Sequence, residues 1–429
     1  MLINHSKKIL QILIFTFPLF MVVGSAIVNL STMIISIIVL FFYYKEARAE
    51  LFKNKIIIYL CLFFFYIFLN ALINFSNIFT VGKSLGYFRF LLLSLSVFFV
   101  LTSMSEKQKS YFIYFNTFLI IFLCLDIIYQ YNFNINLLGF KASFCATDTN
   151  ICERFAGMFD TELVAGAYLS QIGLLILFII TMTNNNISNL YFSKILIFSF
   201  FLFLFITIII TGERNAFLIF LLCIFFMYSL QKKLLKIFTS LLMLVLILFI
   251  LIKNSNSVNA RYYDFNKGWA NIENSTIKDK IISSPWIFHY RAAFELFLEK
   301  PLLGHGPRSF RNKCQTTEID KETLKKRVYY KDFRACSSHP HSYAFEFLSE
   351  YGLVGFLFYV GLIAIFFINL YKIRNKKKNK EFFLFIATSS LILAIIFPLK
   401  PSGSFLSTFN ASMLFYVIGF NMYFFKEIK

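Results

Sequence analysis

The sequence predicts an all-α fold, that of a polytopic membrane protein with about 12 transmembrane helices. Of its 429 residues, 58% are hydrophobic and 60 are Phe, a composition that excludes an assembly of soluble domains. Apolar runs of about 20 residues, the length that crosses a bilayer, recur along almost the whole chain. The predicted spans lie near residues 9–22, 24–44, 56–75, 87–104, 111–130, 162–182, 190–211, 215–230, 234–252, 343–370, 382–398 and 404–424.

The charges of the loops between the spans predict that both termini face the cytoplasm. The inside loops are then 45–55, 105–110, 183–189, 231–236 and 372–380, and all but 183–189 carry Lys or Arg, as cytoplasmic loops usually do. The first apolar run follows Lys7 and Lys8 without a small-residue cleavage site, so we expect a retained first span. Of the 42 Lys and Arg residues, 15 lie in these short loops, where positive charge sets the orientation, and no separate basic helix of the nucleic-acid-binding kind is evident. The net charge of +20 therefore does not indicate nucleic-acid binding.

This topology divides the chain into five segments. Transmembrane helices occupy residues 1–130, 162–252 and 341–429, and periplasmic loops occupy 131–161 and 253–340. The larger loop holds 16 Lys and Arg against 9 Asp and Glu. Loops longer than ~60 residues are translocated regardless of charge, so this excess agrees with an outside location. It predicts an anionic partner at the outer face.

The cysteines indicate the compartment of these loops. Three of the seven lie in apolar spans, where a small apolar residue is expected: Cys61, Cys124 and Cys223. The other four lie in pairs, one pair in each outer loop: Cys145 with Cys152, and Cys314 with Cys336. Such pairs are typical of disulfides in an oxidising compartment. A bacterial inner membrane with its loops in the periplasm agrees with both the charges and the thiols.

The large loop contains a segment with the pattern of an amphipathic helix. Ser284 and Pro285 suit the N-cap and the first turn, and apolar residues follow at helical spacing until Lys300-Pro301. We expect this helix to lie on the membrane or on the spans. Arg291 on it could pair with Glu295 one turn later, which is the structural interpretation of that arginine.

Two other arginines begin apolar spans. Arg214 follows Thr211-Gly-Glu at the outer end of two closely spaced spans, and Arg154 precedes the sixth span. Ionisable groups at membrane depth often have a function, which favours a functional role for Arg214 over its structural alternatives, a pair with Glu213 or a reach to the interface. The planar guanidinium group of arginine binds phosphate oxygens in a bidentate way. Several arginines converging on an outer cavity would suit a phosphate or pyrophosphate group.

His339 and His341 stand at the mouth of the tenth span, directly after the large loop. Histidine has an unperturbed pKa near neutrality, so it can take up and release a proton at this position. The pair alone is a weak metal signal, because two ligands are too few. We expect no metal site and no cofactor, and we interpret His289 and His305 as surface or turn residues.

With these motifs the chain resembles the superfamily of O-antigen ligases and O-antigen polymerases. His341-Ser342, nine residues and Gly352-Leu-Val-Gly355 match the histidine motif of that superfamily. The segment from Arg291 to Pro301-Leu-Leu-Gly304-His-Gly306 is similar to a second motif, and the segments at Arg214 and Arg154 are similar to two others. Glu213 departs from the pattern, because a small or hydroxyl residue is expected before Arg214.

The resemblance implies a membrane glycosyltransferase of GT-C type that acts at the periplasmic face without a catalytic metal. The donor would be a glycan on undecaprenyl diphosphate. Arg214 and Arg291 would hold the donor pyrophosphate, with Arg154 as a further candidate, and would stabilise it as a leaving group. His341 would be the general base that activates the acceptor hydroxyl for an inverting attack, with His339 as the alternative base.

The acceptor is left open by the sequence. A ligase would use lipid A-core, whereas a polymerase would use a second lipid-linked glycan, and the histidine motif favours the ligase. A protein acceptor is less favoured because no additional soluble domain follows the last predicted span. A lipid-linked glycan transporter would favour internal repeats and charges near the midplane of the membrane, neither of which is apparent.

Overall fold

The computed structural model describes residues 2–146, 151–183, 190–262, 285–325, 335–376 and 378–428, which are almost entirely helical. Two short antiparallel strands, β1 (Ser143–Cys145) and β2 (Cys152–Arg154), form the only sheet in these ranges. The α-helices are α1 (Leu2–Val23), α2 (Ser25–Phe42), α3 (Tyr44–Lys53), α4 (Lys55–Ile73), α5 (Ile78–Gly86), α6 (Phe88–Ser103), α7 (Glu106–Phe133), α8 (Ala165–Tyr168), α9 (Leu174–Thr183), α10 (Leu190–Ile210), α11 (Arg214–Leu230), α12 (Leu234–Asn254), α13 (Asn256–Tyr262), α14 (Pro285–Glu299), α15 (Phe310–Lys313), α16 (Glu318–Lys325), α17 (Tyr343–Ile373), α18 (Lys380–Ile395) and α19 (Thr408–Ile428).

Seven helical stretches within the described ranges are long and apolar enough to cross a membrane: His5–Val23, Ser25–Phe42, Lys55–Ile73, Ile78–Ser103, Glu106–Phe133, Leu235–Asn254 and Tyr343–Ile373. Three shorter apolar helices add to them: Ala165–Thr181, Lys194–Ile210 and Arg214–Leu230. The prediction of an all-α multi-pass membrane protein is therefore confirmed. The number of 12 spans, the orientation and the segment boundaries stay predictions.

The last two helices form the centre of the bundle. Helix α19 packs against α6 and α18, and most of its residues are buried. Gly419 permits the close approach to α6, because a Cβ there would lie 2.6 Å from the Cβ of Val97. Asn421 donates hydrogen bonds to the hydroxyls of Thr388 (2.9 Å) and Ser389 (2.8 Å) on α18. Small and polar residues thus join helices that cannot rely on the hydrophobic effect inside a membrane.

Helix α17 is broken near its beginning by Gly352. This glycine has φ 65° and ψ −165°, a region that is essentially restricted to glycine. The break receives the turn after α14: Leu353 N–H donates to the carbonyl of Pro301 (2.7 Å), and Gly306 N–H donates to that of Glu350 (2.8 Å). The two glycine motifs are therefore docked together by their backbones.

The amphipathic helix of the large loop is confirmed as α14, which begins at Pro285; its predicted N-cap, Ser284, lies outside the described residues. Helix α14 packs on α17, and Tyr290 stacks on Phe345 with ring centroids 4.8 Å apart. The buried side of α14 forms a small second core with the segments that follow it. This core consists of Ala292, Ala293, Leu296, Phe310, Cys314, Ile319 and Ala335. The structure joins Cys314 to Cys336 beside this core and Cys145 to Cys152 across the strand pair.

Candidate active site

A cavity of about 1170 Å³ contains most of the polar residues that the sequence singles out. The wall is built from β2, from α2, α5, α6, α8, α11, α13, α14, α15 and α19, and from the segments that precede α8, α11, α15, α17 and α19. Seven of its lining side chains are Lys or Arg and two are Glu: Lys83, Arg89, Arg154, Arg214, Arg261, Arg308, Arg311, Glu162 and Glu213. This excess of positive charge suits an anionic ligand.

His339 and His341 both line the cavity, and their ring centroids are 4.2 Å apart. The ring of His341 also lies 4.8 Å from that of Trp286 and 5.0 Å from that of His289. His341 has φ 58°, a left-handed conformation that is costly for a residue with a side chain. The backbone N–H of Ser402 donates to the carbonyl of His341 (2.9 Å) and helps to hold this conformation.

The surroundings keep these histidines neutral. Burial, followed by the charges of His339 and His289, lowers the pKa of His341 to about 3. Burial, followed by the charges of His289 and Arg311, lowers the pKa of His339 to about 4. Near neutral pH both imidazoles are therefore unprotonated and able to accept a proton. An anion bound in the cavity would favour the charged form and raise both pKa values.

The side chains of Arg214 and Arg261 are each held by a backbone carbonyl. The Nη2 and Nε atoms of Arg214 donate to the carbonyl of Arg261, at 2.6 and 3.1 Å. Arg261 in turn donates from Nε to the carbonyl of Gly212 (2.8 Å), and its Nη1 lies 3.4 Å from a carboxylate oxygen of Glu153. The guanidinium groups at this end of the cavity are thus fixed before any ligand binds.

The departure of Glu213 from the family pattern has a structural reason. Its carboxylate is buried and accepts hydrogen bonds from the backbone N–H groups of Gly166 (2.8 Å) and Ala167 (3.1 Å), at the start of α8. Free N–H groups at a helix start favour an acidic partner. Burial raises the pKa of Glu213 to about 7. Glu213 therefore joins the turn before α11 to the start of α8.

Several buried polar atoms of the cavity wall have no hydrogen-bond partner within the described residues. They are the Nε atoms of Arg89, Arg154 and Arg311 and the hydroxyl of Ser402. An unsatisfied buried polar group costs about 1–3 kcal/mol. Burial lowers the pKa of Arg154, in keeping with a cation that lacks sufficient solvation. The wall therefore holds guanidinium groups whose charge is only partly compensated.

Two carboxylates of α17 position the loops of the cavity. Glu350 accepts hydrogen bonds from the backbone N–H groups of Arg308 (2.7 Å) and Phe310 (3.3 Å). Glu346, one turn earlier, accepts from the Ser404 hydroxyl (2.6 Å) and the Phe405 N–H (2.9 Å). The loop that carries Arg308 and the loop before α19 are therefore fixed from one helix. No local sequence pattern indicates these contacts.

Arg291 lies apart from this arrangement. It is exposed on α14, is not among the lining residues of the cavity, and has neighbours in sequence, Ala292 and Ala293, that face the second core. Its assignment to the pyrophosphate stays a prediction from the resemblance.

The interpretation of His289 as a surface or turn residue is wrong: its side chain is buried, and Nδ1–H donates to the carbonyl of Ala335 at 2.7 Å. His305 lies in a turn as expected but is also buried.

Lys83, Arg89, Arg261, Arg308 and Arg311 also line the cavity, although sequence reasoning did not select them. One signal was present in the sequence. Lys83 and Arg89 stand at the predicted outer end of an apolar span, where the charge rule places few basic residues. Arg308 and Arg311 follow the Gly304-His-Gly306 turn, but only the docking of that turn on α17 directs them to the cavity.

The fold and the cavity define a multi-pass helical membrane protein with a cationic site that contains two histidines. Residues 198–360 match a family model described as O-Antigen ligase, which confirms the resemblance to the superfamily of O-antigen ligases and polymerases. This matched family is one of glycosyltransferase-like enzymes that use lipid-linked glycans. A comparison with curated proteins finds no match. The matched range contains Arg214, Arg291, His339 and His341, whereas Arg154 lies before it.

Proposed function

We propose that the protein is an inverting, metal-independent glycosyltransferase of the ligase type in the bacterial inner membrane. It transfers a glycan from undecaprenyl diphosphate to a hydroxyl of lipid A-core at the periplasmic face. The proposal is supported above all by one observation: His341 and His339 share a cavity with Arg154 and Arg214. A neutral base and fixed guanidinium groups are what transfer from a diphosphate requires.

In the proposed reaction, the imidazole of His341 takes the proton of the acceptor hydroxyl while the hydroxyl oxygen bonds to the anomeric carbon. The bond between that carbon and the phosphate oxygen of the donor breaks, and its electron pair leaves with the lipid diphosphate. Arg214 and Arg154 stabilise the charge that develops on this leaving group. Cleavage of the bond between the glycan and the lipid diphosphate drives the transfer, so no nucleotide is required. His339 is the alternative base because it lines the same cavity, and His341 keeps the role because it belongs to the histidine motif.

The test is an in vitro transfer assay with purified protein and an undecaprenyl-diphosphate glycan, without ATP and with EDTA. Lipid A-core is supplied in one reaction and omitted from the other. Product that requires lipid A-core supports the ligase. Elongation of the donor alone would instead establish the polymerase, which is the second candidate. Absence of product in both reactions, with a validated donor, would overturn the proposed transfer to these acceptors.

A further inference from the structure

The cationic residues of the cavity fall into two sets. The first set consists of Arg154, Arg214 and Arg261, and the second consists of Lys83, Arg89, Arg308 and Arg311. The first set is contributed by β2, α11 and α13, whereas the second is contributed by α5, α6 and the segment around the start of α15. Within the second set, Arg308 and Arg311 both act electrostatically on Lys83. A single lipid diphosphate accounts for the first set and leaves the second without a ligand.

The two sets differ in how their charges are compensated. In the first set, Arg261 pairs with Glu153, and Arg214 donates twice to a backbone carbonyl. In the second set, Arg89 donates from Nη2 to the amide oxygen of Asn29 (2.9 Å), and no ion pair of its four cations is found within the described residues. An unpartnered Nε occurs in both sets, at Arg154 in the first and at Arg89 and Arg311 in the second.

The buried carboxylates nearest to the second set do not pair with its side chains. The oxygens of Glu350 accept from the backbone N–H groups of residues 308 and 310, and those of Glu346 accept from residues 404 and 405. Two carboxylates also fall short of four cations. The second set therefore keeps a positive charge in the cavity wall, which suits a phosphate group.

We propose that Lys83, Arg89, Arg308 and Arg311 form a second anion subsite, which binds a phosphate group of the glycosyl acceptor. This inference rests on the proposed function, since it assigns the first set to the donor. The histidines link the two subsites: Arg311 acts electrostatically on His339, and the ring of His339 lies 4.2 Å from that of His341. An acceptor held by its phosphate at the second set would present a hydroxyl near His341. The phosphate itself takes no part in the reaction.

A phosphorylated lipid A-core and a second lipid-diphosphate glycan share this chemistry, and separate reactions distinguish them. The purified wild-type protein is supplied with donor and, in turn, with phosphorylated lipid A-core, with dephosphorylated lipid A-core, and with a lipid-diphosphate glycan of one repeat. Arg311→Ala and Lys83→Ala are compared with Lys313→Ala, a matched control because Lys313 is exposed on the same short helix as Arg311 and does not line the cavity. Size-exclusion profiles identify any variant that fails to fold.

We expect Arg311→Ala and Lys83→Ala to raise the KM of the phosphorylated acceptor about 10-fold or more, the effect of losing one charge-assisted hydrogen bond. The KM of the donor and the KM of the dephosphorylated acceptor should not change, and Lys313→Ala should resemble the wild type. A rise in the donor KM instead, or an equal effect on both forms of the acceptor, would overturn the second subsite.

A binding measurement separates this inference from the proposed function. Titration of the wild-type protein with inorganic pyrophosphate should reveal two classes of site, and Arg311→Ala should retain only one. A single class that Arg311→Ala leaves unchanged would refute the second subsite even if transfer occurs. Two classes without any glycan transfer would support the subsite while the proposed reaction fails.

Discussion

The carboxylate of Glu350 accepts a hydrogen bond of 2.7 Å from the backbone N–H of Arg308. Arg308 has φ 59°, so this bond supports a strained residue whose side chain lines the cavity. Glu350 therefore acts on the site through the backbone and does not itself line the cavity. Glu350 lies on α17, which begins two residues after His341. One helix therefore positions both the proposed base and the loop that carries Arg308.

Glu350→Gln removes one of the two acceptor oxygens that hold residues 308 and 310. One N–H group then faces an amide NH₂, and the expected loss is about 1–3 kcal/mol. We expect a lower thermal unfolding temperature and a higher KM for the acceptor, because Arg308 loses its fixed position. Kinetics with each substrate varied in turn, together with thermal unfolding in detergent, measure both effects. Unchanged values for both would contradict the positioning role.

His341→Asn tests the proposed base with little change to the backbone, because Asn tolerates the left-handed conformation at this position. We expect transfer to fall about 100- to 10,000-fold, as for the loss of a general base. Binding of the donor should persist. His341→Ala provides the comparison: it should be equally inactive and also less stable. Transfer at the wild-type rate by the Asn variant would remove His341 from the mechanism.

The pH dependence of transfer follows from the lowered pKa of His341, which is about 3 in the unliganded protein. Since protonation disables the base, the acid limb of kcat/KM should lie below the ordinary histidine value of about 6.5. The acid limb of kcat should lie at a higher pH than that of kcat/KM, because the bound diphosphate favours the imidazolium form. Steady-state rates across the pH range provide both limbs. An acid limb of kcat/KM with an apparent pKa at or above the ordinary histidine value of about 6.5 would contradict a neutral, buried base.

Gly352→Ala tests the docking of the two glycine motifs. A Cβ at this position would lie 2.6 Å from the backbone nitrogen of Gly304, and the backbone conformation disfavours any side chain. We expect a loss of at least about 2 kcal/mol in the free energy of unfolding, from the left-handed conformation and the clash together. Gly82→Ala is the control, since nothing lies within 4 Å of a Cβ there. Equal unfolding temperatures for the two variants would contradict the backbone contact.

Replacement of both Cys314 and Cys336 by Ala should destabilise the segment that leads to the histidines. Ala335, which accepts the hydrogen bond from His289, directly precedes Cys336. The expected cost is about 2–5 kcal/mol of stability. Dithiothreitol should lower the unfolding temperature of the wild type more than that of the double variant, which keeps only the Cys145–Cys152 disulfide. Cys61→Ala, at a free cysteine, is the control. Equal sensitivity of both proteins to the reductant would contradict a stabilising bridge.

Apolar length and local chemistry made the helices predictable from the sequence. Pro285 marks the start of α14 because its fixed φ suits a first helical turn, and the histidine pair was correctly placed just before α17. Of the three arginines that the resemblance assigned to the pyrophosphate, Arg154 and Arg214 line one cavity and Arg291 does not.

The rest of the site depends on contacts between distant parts of the chain. Glu350 bonds to residues about forty positions earlier, and without that bond nothing directs Arg308 to the cavity. His289 was misjudged because helical periodicity describes one helix and does not reveal which loop covers it. The short strands and α5 were also missed, since only tertiary packing stabilises such short elements.

The backbone contact between Gly304 and Gly352 has an evolutionary consequence. Each glycine leaves no room for a Cβ on the other, so neither position can accept a side chain while the docked geometry persists. The two motifs should then behave as one bipartite signature, despite their separation in the chain. Across an alignment of related chains, we expect glycine at both positions or at neither. Frequent loss of only one of the two would show that this contact is dispensable.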